Sequence, residues 1–240
     1  MEIGSTDWSN FLINQARAID IKLNRTQNRL FSIHAVELIK WTKRINITTI
    51  TEPIEVAINH FIDSLVPAKF IPSEAAMLDI GSGGGFPGIP LKVLLPELSV
   101  TLIDASRKKV SFLKHTIRTL KLDNIEALHI RAEDLAKHPS YINSFNVIIS
   151  RALSSLDDFV GLALPLLADG GTIIALKGEA NKTESDELRT NVLEKMNITG
   201  LDNRQFTISI ETYSLPQLNS KRSIITVREE LNAGRNILAD

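Results

Sequence analysis

Hydrophobic residues in the first part of the chain recur at the spacing of helices. A first apolar run, from Trp8 to Leu23, follows an N-cap offered by residues 5–7. A second run, from Leu30 to Ile45, contains no glycine or proline, and a third, from Pro53 to Val66, stops before Pro67. This pattern predicts an all-helical segment over residues 1–73.

From Ala75 onward the pattern changes to short apolar runs that alternate with amphipathic ones. Repeated strand–helix–strand units predict a parallel sheet with helices on both faces. Beyond Gly178 we expect a polar helix over residues 185–196 and two β-rich runs, 205–213 and 223–228, with a turn between them at Pro216 and Asn219. The other predicted strands are Ala76–Ile80, Ser99–Asp104, Ile125–Ile130, Asn146–Ser150 and Thr172–Lys177, and the helices are Gly88–Leu95, Lys108–Leu122, Asp134–Asn143 and Leu156–Ala168.

A glycine-rich segment follows the first predicted strand. Residues 78–88 read LDIGSGGGFPG, in which five glycines permit close backbone approach and Pro87 can open a helix. Ligands of parallel α/β sheets bind at the carboxyl ends of the strands. The segment is therefore predicted to be a ligand-binding loop, with Gly83 among its contacts.

Three ligands are candidates for this loop. A mononucleotide P-loop is excluded because Ile89 and Pro90 stand where a lysine and a hydroxyl residue are required. The dinucleotide pattern G-x-G-x-x-G matches at Gly83, Gly85 and Gly88 and stays open on spacing alone. S-adenosylmethionine is favoured, because its cationic groups suit the acidic residues that accompany the loop.

Those acidic residues lie at successive predicted strand ends. Asp79 precedes the first glycine by two residues, and Asp104 closes the second strand, where a carboxylate can accept both ribose hydroxyls. Asp104 could equally cap the following helix. Glu133 follows the third strand and Arg151 the fourth, at the same edge of the sheet. Glu133 could instead only occupy a helix start, which favours acidic residues.

Composition narrows the function classes. The 240 residues carry 27 basic and 28 acidic side chains, which excludes a uniformly cationic coat for nucleic acid. The absence of cysteine excludes disulfides and thiolate zinc sites, and the five histidines show no metal-binding spacing, so no metal is expected. With no apolar stretch near 20 residues and no secretory signal, a cytoplasmic protein without a membrane partner is expected.

The strings LDIGSGGGFPGIPL, LIDASRKKVSFLK, RAEDL, VIISRAL and IIALKG together resemble one family. It is the ribosomal RNA small-subunit methyltransferase G family, also called glucose-inhibited division protein B. Trp41 and the segments 46–48 and 60–64 add to the resemblance, which covers roughly residues 30–180.

The resemblance implies a class I S-adenosylmethionine-dependent fold, Rossmann-like, with a mostly parallel seven-stranded sheet and an N-terminal helical extension. Together with the change of pattern near residue 73, it leads us to expect an extension at 1–73, a methyltransferase domain at 74–230 and a tail at 231–240. It also implies methylation of guanine N7 in a loop of 16S ribosomal RNA, as free RNA or in the small ribosomal subunit. The implied cofactor contacts are Gly81, Phe86, Ala132, Glu133 and Arg151, with Asp104 in the acidic position after the second strand.

Two local excesses of basic residues suit contact with RNA phosphates. Residues 1–50 hold seven basic against four acidic side chains, and residues 101–131 hold seven against three. A merely solvated helix face explains the second cluster about as well. The residues expected to contact RNA are Lys43, Arg44, Arg107, Lys108 and Lys109.

Guanine N7 carries a lone pair and no proton, so methyl transfer to it needs no general base. The motifs indeed offer no such base, and Arg151 is expected to orient the cofactor and the guanine. Two alternatives stay open on the sequence: a class I methyltransferase for a small molecule or protein, and an RNA-binding module without turnover.

Overall fold

The computed structural model describes residues 1–151, 155–179, 205–218 and 220–230. Seven strands form one sheet in the order β3-β2-β1-β4-β5-β7-β6. The first five strands are parallel neighbours, and β7 runs antiparallel between β5 and β6. The predicted fold class, a mostly parallel seven-stranded α/β sheet, is confirmed. The strands are β1 Ala76–Ile80, β2 Ser99–Asp104, β3 Ile125–His129, β4 Phe145–Arg151, β5 Leu167–Gly178, β6 Gln205–Leu215 and β7 Ser220–Glu230.

The segment before β1 is helical, as predicted. Helix α1, Thr6–Arg17, begins at the N-cap Ser5, and α2, Arg25–Ile45, begins at a capping box of Asn24 and Gln27. A third helix starts as α3, Pro53–Glu55, and passes into a π-helical segment, Val56–Ile62. It ends as α4, Asp63–Leu65, followed by a 3₁₀ turn, Val66–Phe70.

Within the described ranges, four helices connect the strands. Helix α5, Gly88–Leu94, follows the glycine loop, and α6, Arg107–Leu120, follows β2. Helix α7, Ala132–Leu135, follows β3, and α8, Leu156–Ala163, precedes β5. In the described part of the chain, no helix is long and apolar enough to cross a membrane.

Strand register brings the carboxyl ends of β1, β2 and β4 together. Ile80, the last residue of β1, pairs with Ile103 of β2 on one side and with Ser150 of β4 on the other. Asp104 and Arg151 each lie one residue further along their strands. The glycine loop therefore leaves the sheet between an acidic and a basic side chain.

One hydrophobic core joins the helical extension to the sheet. Trp8 and Phe61 are fully buried, with ring centroids 5.7 Å apart, and the indole N–H of Trp8 donates to the Pro53 carbonyl at 2.8 Å. The same cluster of buried side chains includes Phe86 and Ile89 beside the glycine loop. The extension therefore packs directly behind the predicted ligand-binding loop.

The structure departs from the predicted elements in three places. The helix expected over 134–143 is shorter and starts earlier, since Pro139 opens a separate 3₁₀ turn, Pro139–Tyr141. The helix expected to reach Ala168 ends at Ala163, and β5 begins at Leu167 rather than Thr172. The helix predicted over 185–196, the turn residue Asn219 and the tail at 231–240 lie outside the described residues.

Candidate active site

The glycine loop presents open backbone at the edge of the sheet. Its start is held by β2, because the N–H groups of Gly81 and Ser82 donate to the Ile103 carbonyl at 2.9 and 3.0 Å. Gly81 and Gly83 have positive φ angles of 74° and 56°. Apart from its chain neighbours, a Cβ atom on Gly81 would meet no described residue within 4 Å, and one on Gly83 would meet only the Gly81 carbonyl oxygen, at 3.8 Å. A ligand such as S-adenosylmethionine can therefore approach this backbone closely.

Asp104 fixes the loop from the neighbouring strand. Its two carboxylate oxygens accept from the N–H of Gly83 at 3.0 Å and from that of Ser106 at 2.7 Å. Ser106, and not Asp104, is the N-cap of α6. The alternative reading of Asp104 as a helix cap is therefore wrong, and its carboxylate lies beside the open backbone of Gly83.

Asp79 lies beneath the loop and is fully buried. One carboxylate oxygen accepts from the Gly88 N–H at 3.0 Å, and the other has no hydrogen-bond partner among the described residues. A Cβ on Gly88 would lie 2.7 Å from that accepting oxygen, so the position requires glycine. Burial raises the pKa of Asp79 to about 7. In this conformation Asp79 supports the loop, and its direct contact with a cofactor stays a prediction.

Phe86 is the centre of a stack of three aromatic rings. The His34 ring lies 4.7 Å from it at an interplanar angle of 13°, and the His60 ring lies 4.6 Å from it at 12°. His34 Nε2 also donates to the Gly84 carbonyl at 2.8 Å. Burial lowers the pKa of His34 to about 4 and that of His60 to about 3, so both imidazoles are neutral at physiological pH. We call His34, Phe86 and His60 the ring stack.

Arg151 extends from the end of β4 toward the helical extension. Its guanidinium carbon lies 5.2 Å from the centre of the Phe86 ring, a cation–π distance. Its Nη1 donates to the Asn59 carbonyl at 2.6 Å and lies 3.7 Å from a carboxylate oxygen of Asp63. Its Nη2 contacts His60 Nδ1 at 3.3 Å. The predicted site residue is thus in place at the sheet edge, held by partners that the sequence did not indicate.

A cleft of about 350 Å³ opens beside Arg151. The ends of β5 and β7 form one wall, because Gly178 pairs with Arg222 across the two strands. The extension forms the opposite wall, and an Asn59 side-chain oxygen accepts from Arg222 Nη2 at 3.3 Å. We call this space the acceptor cleft; its polar lining residues are Asn59, His60, Asp63, Arg151, Lys177 and Arg222.

The predicted residues after β3 open helix α7. Ala132 is buried, whereas Glu133 is exposed in the first turn of that helix. Both follow a strand that is paired with β2, so they lie on the Asp104 side of the glycine loop. Among the described residues no group of three or more histidine or acidic side chains is arranged to hold a metal ion.

The helices that carry the predicted RNA contacts, α2 and α6, pack together. The Trp41 ring of α2 lies 5.7 Å from that of Phe112 in α6, and Glu37 pairs with His115 at 2.6 Å. Lys109 is half-buried. The other residues predicted to contact RNA are exposed on the same two helices, namely Lys43, Arg44, Arg107 and Lys108.

Sequence reasoning missed most of the acceptor cleft. From spacing alone, His60, Asp63 and Ser64 resemble one face of an amphipathic helix, yet all three are buried. The sequence feature that could have indicated their burial is the presence of polar residues inside an otherwise apolar run. Asn59 and Arg222 carry no motif, and only the folded chain brings them together.

Comparisons with known proteins identify the family. The family model GidB, rRNA small subunit methyltransferase G, matches residues 27–207. The ribosomal RNA small subunit methyltransferase G of Geotalea uraniireducens (strain Rf4) is 44% identical over 175 residues, covering 73% of this chain and 79% of that one. The protein of the same name from Geobacter sulfurreducens is 37% identical over 212 residues, covering 88% and 93%.

Solved structures show the same fold at low sequence identity. A SAM-dependent methyltransferase from Aquifex aeolicus has a TM-score of 0.54 at 17% identity, covering 76% of this chain and 97% of that one. M. jannaschii TYW2 in complex with AdoMet has a TM-score of 0.53 at 15% identity, covering 71% and 75%. With the family match across most of its length, the chain belongs to the rRNA small subunit methyltransferase G family of S-adenosylmethionine-dependent methyltransferases.

Proposed function

We propose that this protein methylates N7 of a guanine in a loop of 16S ribosomal RNA, in the cytoplasm where that RNA resides. The ionisable side chains that line the acceptor cleft support this proposal most directly. Arg151, Lys177 and Arg222 are cations, and the one histidine that lines it, His60, has its pKa lowered by burial to about 3. Asp63 is engaged by Arg151 and by the Tyr213 hydroxyl at 2.6 Å. Such a cleft suits an acceptor atom that has a lone pair and no proton to lose.

The cofactor half of the site is proposed to lie along the glycine loop. S-adenosylmethionine, when bound, supplies a methyl group made electrophilic by its sulfonium. Gly81 and Gly83 would receive it along their open backbone, and Asp104 lies beside them at the end of β2. Phe86, Ala132, Glu133 and Arg151 complete the proposed contacts, and Asp79 holds the loop from below.

The RNA half is proposed to extend over the exposed basic side chains of α2 and α6. Lys43, Arg44, Arg107 and Lys108 are exposed, and Lys109 is half-buried beside them. Helix α6 begins next to Asp104, so phosphates bound at its first turn would lie close to the cofactor loop. The N7 edge of a paired guanine lies in the deep, narrow major groove of RNA, so we expect a target in a loop.

Transfer of labelled methyl groups tests this function directly. The protein is incubated with labelled S-adenosylmethionine and either 16S RNA, assembling particles or 30S subunits, and the labelled nucleoside is identified by mass spectrometry. We expect N7-methylguanosine and no label in RNA that carries 7-deazaguanine at the target. Label in another nucleotide, in protein or in a small molecule would overturn the proposal. Binding of cofactor and RNA without transfer would show a binding module instead.

A further inference from the structure

Three groups from a single helical turn hold the Arg151 guanidinium. They are the Asn59 carbonyl, His60 Nδ1 and a carboxylate oxygen of Asp63, at 2.6, 3.3 and 3.7 Å. This turn contains the π-helical segment, in which the Asp63 N–H donates to the Ile58 carbonyl five residues back. π-Helical turns are frequent at functional sites. The extension therefore supplies the partners of the cation at the end of β4.

His60 can accept from Arg151 only in one tautomer. A guanidinium has donors and no acceptor, so the facing Nδ1 must carry a lone pair and the proton must lie on Nε2. The structure provides a partner for that proton, since Thr48 Oγ1 lies 3.0 Å from Nε2. Thr48 Oγ1 also accepts from the Ile50 N–H at 3.1 Å, which fixes its position. Arg151 thus dictates the tautomer of His60, and Thr48 accepts the Nε2 proton of that tautomer.

Packing also fixes the orientation of the His60 ring. One face stacks on Phe86 at 4.6 Å, and the residue is 6% exposed. Arg151 lies over the same Phe86 ring at 5.2 Å. Burial and the nearby Arg151 charge lower the pKa of His60, so protonation does not remove its acceptor at physiological pH. The remaining anchor, Asp63, is itself fixed by the Tyr213 hydroxyl.

We propose that His60 is a positioning residue that aims the Arg151 guanidinium into the acceptor cleft, with Thr48 accepting the Nε2 proton of its imidazole. This inference rests on the proposed role of Arg151 in methyl transfer. His60 takes no proton from the acceptor. Its contribution reaches the reaction through Arg151 alone, which distinguishes it from a general base and from a residue that only fills the core.

Thr48 offers the sharper variant, because its side chain contacts His60 and not Arg151. Thr48→Val is nearly isosteric but removes the acceptor for Nε2–H. The buried donor then lacks a partner, which destabilises the ring orientation in which Nδ1 faces Arg151. We expect at least a threefold loss in the single-turnover rate constant of methyl transfer, and recovery in Thr48→Ser. His60→Phe, which keeps a ring against Phe86, should lose at least tenfold, and the exposed His138→Phe serves as the matched control at the wild-type rate.

A double-mutant cycle decides whether the effect passes through Arg151. In an Arg151→Lys background, itself expected to be slow, His60→Phe should cost less than twofold more. An equal loss in both backgrounds, or wild-type rates in Thr48→Val and His60→Phe, would overturn the positioning role while leaving RNA methylation intact. A wild-type rate in Arg151→Lys would overturn both this inference and the proposed role of Arg151. Thermal unfolding of each variant identifies losses that come from misfolding, in which case Thr48→Val carries the test.

Discussion

Asp79 should make the stability of this protein depend on pH in the opposite sense to most carboxylates. It is fully buried, one of its oxygens has no partner among the described residues, and the only N–H that reaches the other is that of Gly88. Burial outweighs this hydrogen bond, the Ser82 hydroxyl and the nearby Arg151 charge, and the pKa rises from 3.8 to about 7. The substitution Asp79→Asn removes this pH dependence, because an asparagine side chain can still accept from the Gly88 N–H but cannot ionise.

The change in unfolding free energy with pH follows from proton linkage. Between its unfolded and folded pKa values, 3.8 and about 7, the folded protein holds a proton that the unfolded chain has released. The stabilisation is therefore complete below the unfolded value and is lost as the pH rises through the folded value. The whole shift corresponds to about 4 kcal/mol, of which about 2 kcal/mol is lost between pH 5.5 and 8.

Urea unfolding at several pH values, followed by tryptophan fluorescence without cofactor, measures this loss. The difference in unfolding free energy, Asp79→Asn minus wild type, should grow by about 2 kcal/mol from pH 5.5 to 8. Glu74→Gln, which removes an exposed carboxylate, is the matched control for the loss of one acidic charge. A difference for Asp79→Asn that stays constant across this range would show that the carboxyl is ionised throughout and would refute the argument.

Three further predictions test the rest of the site. Asp104→Ala should weaken S-adenosylmethionine binding by about 1–3 kcal/mol in calorimetry, because it removes the carboxylate that is proposed to accept from the ribose hydroxyls and that holds the Gly83 N–H in place; unchanged affinity would remove Asp104 from the site. Lys43→Ala and Lys108→Ala should each lower the log–log salt slope of RNA binding by about 0.7–0.9, and wild-type slopes would mean that these charges only face solvent. The single-turnover rate in an Asp79→Asn background should vary little between about pH 6.5 and 8.5, since the pKa of His60 is about 3. A tenfold rise abolished by His60→Ala would point to base-assisted transfer.

The sheet was largely predictable because its central strands are buried on both faces. The predicted bounds of β1 and β2 match the structure residue for residue. Prediction failed where tertiary pairing overrode local signals. Residues 169–171, Asp-Gly-Gly, are of the types found in turns. They nevertheless lie within β5, in which Leu167 already pairs with Phe145, and the buried carboxylate of Glu229 accepts from the Gly170 N–H at 2.9 Å. That partner is distant in sequence, so no local pattern reveals it.

The residues of the candidate site also fall into those that local sequence patterns predict and those that only tertiary contacts bring together. The glycine loop, Asp104 and Arg151 were predictable because parallel strands bring their carboxyl ends to one edge. The contacts of Arg151 were not, since Asn59 and His60 precede it by 92 and 91 residues. Periodicity assigns those residues to a helix but does not show that a π-helical segment turns them toward the sheet.

The glycine loop and Arg151 belong to the sheet domain, but both depend on contacts from the helical extension. The glycine loop is closed from behind by the extension: His34 binds the Gly84 carbonyl, and a Cβ on Gly84 would lie 3.0 Å from Leu38. Without residues 1–73, Phe86 would lose both stacking partners and Arg151 would lose every hydrogen-bond acceptor described for it. An isolated sheet would thus expose a large apolar ring and leave a cation unpaired at the edge where the acceptor must bind. The extension, which also carries Lys43 and Arg44, therefore shapes the same loop and arginine that methyl transfer is proposed to use.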